Sequence, residues 1–177
     1  MATYQIDSQH TGAHFKVRHM MISNVKGEFS RINGSVEFDA LNPASAHVEA
    51  SIESASVNTR EAQRDAHLKS ADFLDVFRYP LITFRSSSIA AVGRDSYEVI
   101  GDLTIRGVTR EVTLQVDSVT PEIKDPDGQF RLGASASTRI ARKDFGLTWN
   151  AVLESGGFVV GDEVDITIDL ELVRKAA

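Results

Sequence analysis

No cysteine occurs in the 177 residues, which removes disulfides, thiolate nucleophiles and zinc–sulfur sites in one step. No run approaches the ~20 apolar residues of a membrane-spanning helix, so no integral membrane segment is expected. The opening "MATYQIDSQH" has neither the charged start nor the apolar stretch of a secretory leader. On that reading the chain is expected to be soluble and cytoplasmic, and a periplasmic location would require a leader removed ahead of Met1. Basic charge is also short. Nineteen Lys and Arg face 25 Asp and Glu, a net charge of −6, and the two signs are interleaved as on a solvated surface. Phosphate backbones need a basic face, so no nucleic-acid partner is expected.

The sequence is equally poor in catalytic arrangements. There is no Gly-x-Ser-x-Gly elbow and no glycine-rich phosphate loop, since Gly101, Gly107, Gly156 and Gly157 read as strand ends. His10 and His14 are four residues apart but lie in a loop-to-strand setting, not on the helix that the His-Glu-x-x-His zinc motif requires. The expectation is therefore a non-enzyme without cofactor or metal. A metal site from His10, His14 and an acid is the weaker alternative.

What is present is alternation. With 42% hydrophobic and 25% charged residues, the composition is globular, and a chain this long makes one domain burying roughly 70% of its unfolded surface. Ala13, Phe15 and Val17 alternate with His14, Lys16 and Arg18. Val48, Ala50 and Ile52 alternate with His47, Glu49, Ser51 and Glu53. Tyr97, Val99, Leu103 and Ile105, then Val112, Leu114 and Val116, then Phe130, Leu132, Ala134, Ala136 and Ile140 repeat the pattern. It ends with Val164, Ile166, Ile168, Leu170 and Leu172 against an acidic or threonine face. A period of two with one polar face means half-buried antiparallel strands. About eight of them, separated by turns at Asn42-Pro43, Gly93-Arg94-Asp95, Pro126-Asp127-Gly128 and Gly156-Gly157, predict an all-β sandwich or up-and-down barrel.

Two stretches depart from simple alternation. Asn33-Gly34 is a hairpin signal, yet Ile32, Val36 and Phe38 keep one parity through it. The favoured reading is one long strand with a glycine bulge or bend, as in a tall barrel with room inside. "TREAQRDAHLKSADFLDVFRYP" breaks the alternation with helix-favouring charge. Asn58 is the expected N-cap with Glu61 three residues on, and the helix is expected to end near Asp75, because Pro80 forces Tyr79 to be extended. A helix placed there covers one open end, aromatics over the interior and charges at the rim.

These stretches resemble the YceI-like family. Ile6-Asp7, His10 and Phe15-x-Val17-x-His19 open the family's pattern. The Arg64-Asp65-x-His67-Leu68 segment, running through Asp72-Phe73 to Tyr79-Pro80-x-Ile82-x-Phe84-x-Ser86, continues it. "GDLTIRGVT", "ARKDFGLTWN" and "GDEVDITIDLEL" complete it, in order, over nearly the whole chain. The resemblance implies an extended antiparallel lipocalin-like β-barrel with one α-helix capping an end. It also implies binding of a hydrophobic amphiphile (a polyisoprenoid, an isoprenoid quinone or a related lipid) and membership of a family whose proteins are often homodimers.

A polyprenyl chain offers no polar handle along its length, so its site needs apolar walls and a single polar rim. The candidate wall is Phe15, Val17, Phe29, Ile32, Val36, Phe38, Ile52, Phe84, Ile105, Phe130, Leu132 and Phe158, with Phe73, Phe77, Tyr79 and Trp149 toward an end. Gly133, Ala134, Ala136 and Ser137 are expected to leave the interior unfilled. At the rim Arg64 or Arg142 is suited to a pyrophosphate or quinone oxygen. The competing reading pairs Arg64 with Asp144, or Arg142 with Asp65, as ties between helix and barrel. His19 shares the inward parity of Phe15, either facing ligand or hydrogen-bonded within the wall. The function predicted is binding, transport or sequestration of the amphiphile. The alternatives are a closed barrel serving as a stress-related protein-interaction module, or a hydrolase with a rim histidine.

Overall fold

The β-branched and aromatic alternators do form strands, and the charged interruption forms the α-helix. The computed structural model describes residues 1–177. Its strands are β1 (Ala2–Ile6), β2 (Gly12–His19), β3 (Ser23–Phe29), β4 (Ile32–Phe38), β5 (His47–Glu53), β6 (Val57–Asn58), β7 (Leu81–Ala91), β8 (Tyr97–Ile105), β9 (Val108–Asp117), β10 (Ile123–Lys124), β11 (Phe130–Ala141) and β12 (Val160–Arg174). The helix α1 (Ala62–Lys69) sits between β6 and β7.

Three pairs of strands act as single long staves. β1 and β2 run consecutively along β12, pairing Ile6 with Leu172 and Phe15 with Ile166. β4 pairs with β1 and β3 with β2, while β5 pairs with β4 and β6 with β3. β7, β8, β9, β11 and β12 follow in order, and the β11–β12 ladder closes the sheet on itself. The result is a closed eight-stranded antiparallel up-and-down barrel with one short helix. Closure pairs the long sheet edges, the weak point of open sheets. At ~3.3 Å per residue, the 15 residues of β12 give a stave roughly 50 Å long.

The strand through Asn33-Gly34 is continuous, with an unbroken register from Ile32 to Phe38. The break lies upstream, at Ser30-Arg31, and Gly34 is no bulge. A side chain there would be driven into the Glu49 carbonyl and Ala50 Cα of the neighbouring strand, so glycine serves close packing. The helix is also shorter than its sequence suggests. Asn58 remains in β6 and its Oδ1 accepts from the Arg60 N–H (2.8 Å). The cap is Glu61, whose carboxylate accepts from the Gln63 and Arg64 N–H groups. Keeping Val57 and Asn58 extended allows them to pair with Phe29 and Glu28. At the other end Ser70 stops the helix, its N–H and hydroxyl both donating to the His67 carbonyl. The following turns, with Asp75 at φ +48, bring Phe73 and Leu74 into the core.

Only 24 of the 177 residues are fully buried, because much of the inward face borders space. Two packed clusters stand at the two ends. One joins Val57, Phe73, Leu74, Ile82, Ile105, Ile140, Phe145 and Leu147 under the helix. The other joins Tyr4, Ile6, Ala13, Ile32, Leu132 and Leu172.

Candidate functional site

Between the clusters runs a cavity of about 600 Å³, and 42 of its 51 lining residues are hydrophobic. That volume falls within the ~300–1,000 Å³ of small-molecule sites. Small side chains of β11 leave room on the inner face. Ala134, Ala136 and Thr138 lie beside Leu170, Ile168 and Ile166 of the adjacent β12, and all six border the cavity. Gly133 and Ser137, expected to add to this space, have the outward parity and are absent from the wall. Phe15, Val17, His19, Phe29, Ile32, Val36, Phe38, Ile52, Phe73, Phe84, Ile105, Leu132 and Trp149 all border the cavity, as do Arg64 and Arg142.

Four expected wall residues lie elsewhere. Phe77 is 97% exposed, on the turns between helix and β7, where no strand parity governs it. Tyr79 packs on Gly107 at the β8–β9 turn. Phe130 has inward parity but stands at the very start of β11, beyond the wall, with the Lys124 ammonium and Arg174 guanidinium within 5.8 and 5.7 Å of its ring. Phe158 belongs to an outer hairpin, bridged to Val152.

An aromatic cluster stands at the helix end of the cavity. His67 on α1 meets Trp149 edge-on at 4.5 Å and Phe73 at 4.9 Å, and Phe73 lies 5.4 Å from Trp149. His67 Nε2 also lies 2.9 Å from Asp72 Oδ2. Gln63, Arg64, His67 and Leu68 supply the helix's share of the lining.

The two rim arginines are held by neighbours the sequence did not point to. Arg64 does not pair with Asp144. Its Nε donates to Thr59 Oγ1 and its Nη2 to the Thr59 carbonyl, both at 2.8 Å, while Asp65 accepts from the Thr59 N–H and hydroxyl. Arg142 is 2% exposed and does not pair with Asp65. It donates to the carbonyls of Gly161 (2.7 Å), Leu147 (2.6 Å), Trp149 (2.9 Å) and Val160 (3.2 Å). Burial depresses its pKa, against the pull of Asp162. The fan of a guanidinium suits four converging carbonyls. Arg142 therefore ties the 146–160 segment to the barrel mouth.

At the opposite end Tyr4 donates to Glu122 Oε1 at 2.6 Å, and burial, then the carboxylate, pushes its pKa up to about 12. Arg131 clamps Asp7 (2.6 Å), Asp125 (2.6 Å) and Glu171 (2.7 Å). His10 Nδ1 lies 3.0 Å from Asp7, and the bond to His10, then that to Arg131, lowers the Asp7 pKa to about 2. His14 points away along β2 toward Glu28, at 3.9 Å, so the two histidines do not converge. Asp7, His10 and Glu171 do converge, but Arg131 already supplies the cation between the two carboxylates.

Sequence reasoning missed wall residues lying outside strands or at their ends. Leu74, Leu147, Val159 and Val160 border the cavity, and no periodicity marks them. Tyr4, Ile6, Val99, Leu114 and Val116 were legible, since they continue the parity of their strands.

Comparison with known proteins places this architecture. Residues 4–172 match the YceI-like domain. Over 176 residues, 98% of this chain and 88% of the relative, it is 38% identical to Protein YceI of Escherichia coli O157:H7. Over the same shares it is 36% identical to a UPF0312 protein of Azotobacter vinelandii. Among solved structures, Burkholderia cenocepacia BcnA superposes with a TM-score of 0.82 at 25% identity, covering 94% of this chain and 98% of that one. A polyisoprenoid-binding domain from Saccharophagus degradans superposes with a TM-score of 0.72 over 99% of this chain and 100% of that one. Its 16% identity makes that a likeness of fold.

Proposed function

Because the chain belongs to the YceI-like family, we propose that it is a binding protein that encloses one long apolar molecule of the polyisoprenoid class inside its barrel. The observation that carries this reading is the cavity itself, about 600 Å³ with an overwhelmingly hydrophobic lining, running along staves of up to 15 residues. Each methylene transferred to such a wall contributes about 0.8 kcal/mol, so ten enclosed carbons contribute roughly 8 kcal/mol before ordering costs. A branched, flexible polyprenyl chain suits a tunnel lined by aliphatic and aromatic side chains of uneven size. The barrel of like fold described as polyisoprenoid-binding supports the same class.

The rim chemistry supports an amphiphile. Gln63, Arg64, His67 and His19 border the cavity near the helix, offering donors to an oxygen-bearing head group such as a pyrophosphate or quinone carbonyl. A closed barrel acting only through its outer surface would have no use for the tunnel, and the open volume counts against it.

The test is native mass spectrometry of freshly purified protein beside an organic extract of the same sample. An added mass that is released into the extract as an isoprenoid is the expected result. A bare mass that stays bare after incubation with polyprenol and polyprenyl pyrophosphate would overturn the proposal.

A further inference from the structure

The β2–β3 connection is a four-residue turn, His19 to Ile22, closed by the Ile22 N–H on the His19 carbonyl at 3.1 Å. Its central residues Met20 and Met21 have φ +50 and +62. Both positive values define the type I′ turn, whose central positions favour asparagine and glycine. Placing two methionines there goes against local preference, and their side chains project outward.

A second hairpin lies against this turn. Leu153 N–H donates to the Gly157 carbonyl, Val152 bridges Phe158, and the Met21 sulfur occupies the space that a side chain at Gly157 would need. Met20, Met21, Ile22, Val152 and Phe158, all between 40% and 76% exposed, thereby form one apolar knuckle. None of the five borders the cavity, but the chain on either side does. His19 precedes the turn, and Val159 and Val160 follow the hairpin, all three lining the tunnel mouth. The Met20 N–H donates to the Val159 carbonyl at 2.8 Å, joining knuckle to mouth.

We propose that this knuckle is a docking surface for a zwitterionic lipid bilayer, seating the mouth of the barrel at the membrane so that cargo passes without crossing water. Its chemistry favours that occupant over a second copy of the chain. A stable interface engages about 20–30 residues a side, and five side chains on two hairpin tips fall far short. A bilayer accepts a small convex apolar tip at the level of its acyl chains. Charge selects the lipid. Glu154 on one tip is matched by the Arg18 guanidinium on the other, which donates to the Met21 carbonyl at 3.1 Å, so the knuckle is locally neutral, and the chain's net charge of −6 disfavours an anionic surface. The proposal rests on the carrier reading for its purpose, though not for its geometry.

The test is flotation of full-length protein with phosphatidylcholine vesicles, comparing the native chain with the M20N/M21G double variant. Asn-Gly suits the turn, so the variant is expected to fold at least as firmly, checked by its thermal midpoint. The expected result is co-flotation of the native protein and a drop of at least about tenfold in the variant, with cargo retained by both in native mass spectra. F158S, which leaves the turn untouched, should show the same loss. Equal flotation of native and variant chains, or none for either, overturns the proposal. So does a dimer, measured by light scattering, that depends on Met20 and Met21 without flotation. Flotation of a native protein that never holds cargo would uphold docking and overturn the carrier reading instead.

Discussion

Phe84 projects from β7 into the cavity and leans on Gly101 of β8, where a side chain would meet its ring. Replacing it with arginine puts a charge among apolar walls while its stem still covers the strand. F84R should abolish polyprenol retention in extracts while the protein stays folded by circular dichroism, and undiminished retention would remove Phe84 from the ligand path. Arg64 is half committed to Thr59, leaving the rest of its guanidinium for the cavity rim. R64A should change the preference between polyprenyl pyrophosphate and polyprenol in competition more than it changes binding of polyprenol itself. Arg142 is a structural group. R142K keeps the charge but cannot reach four carbonyls from one ammonium, and should cost about 2–3 kcal/mol in urea unfolding. Its effect on cargo should come through loosening of the 146–160 segment, visible as a red shift of Trp149, the sole tryptophan.

Among the elements, β11 sets the bore. Its Ala134 and Ala136 lie beside Leu170 and Ile168 of the adjacent β12 and border the cavity, so enlarging one narrows the tunnel. A134F is expected to shift the extracted cargo toward shorter chains and lower its amount at least about tenfold, since several enclosed methylenes are lost. An unchanged cargo profile would place the ligand away from β11. The helix shows how an element's length is settled by its ends. Glu61 displaces Asn58 as cap because β6 must stay extended against β3, and Ser70 closes the helix so that Phe73 and Leu74 can turn inward. The four misplaced aromatics teach the same lesson. Alternation tells which face a residue occupies within a strand but not its height along the barrel, so Phe130 reads as wall and sits beyond it. Where strand order stops, as around Phe77, Tyr79 and Phe158, alternation carries no information.

For the whole molecule, the ionic clamp at the end away from the helix governs pH response. The folded-state pKa of Asp7 is lowered from 3.8 to about 2, so its contribution is complete above pH 3.8 and is lost as pH falls toward 2. His10 is raised above 6.5 by Asp7, so its contribution holds below 6.5 and is lost as pH rises through the raised value. Tyr4, raised from 10.0 to about 12, stabilises below pH 10 and ceases to do so as pH climbs through 12. The thermal midpoint should therefore be highest between about pH 4 and 6.5, ease slightly above that window, and fall steeply in acid and strong alkali. D7N should flatten the acid limb, and an unaltered limb would assign it to other carboxylates.

The sequence by itself determined the all-β class, the near-continuous Asn33-Gly34 strand and the inward set from Phe15 to Leu172. Those follow from a period of two, which each strand carries locally. The helix was likewise visible, since its charge and spacing break that period. Small residues on β11 already pointed to open space, but tertiary structure alone decided which of them border it, because Ala134 and Ala136 line the cavity while Gly133 and Ser137 do not. It decided too that Arg142 binds carbonyls instead of a carboxylate, and that two turns distant in sequence pack into one apolar tip. These are matters of register and closure between segments far apart in the chain, and no local pattern encodes them.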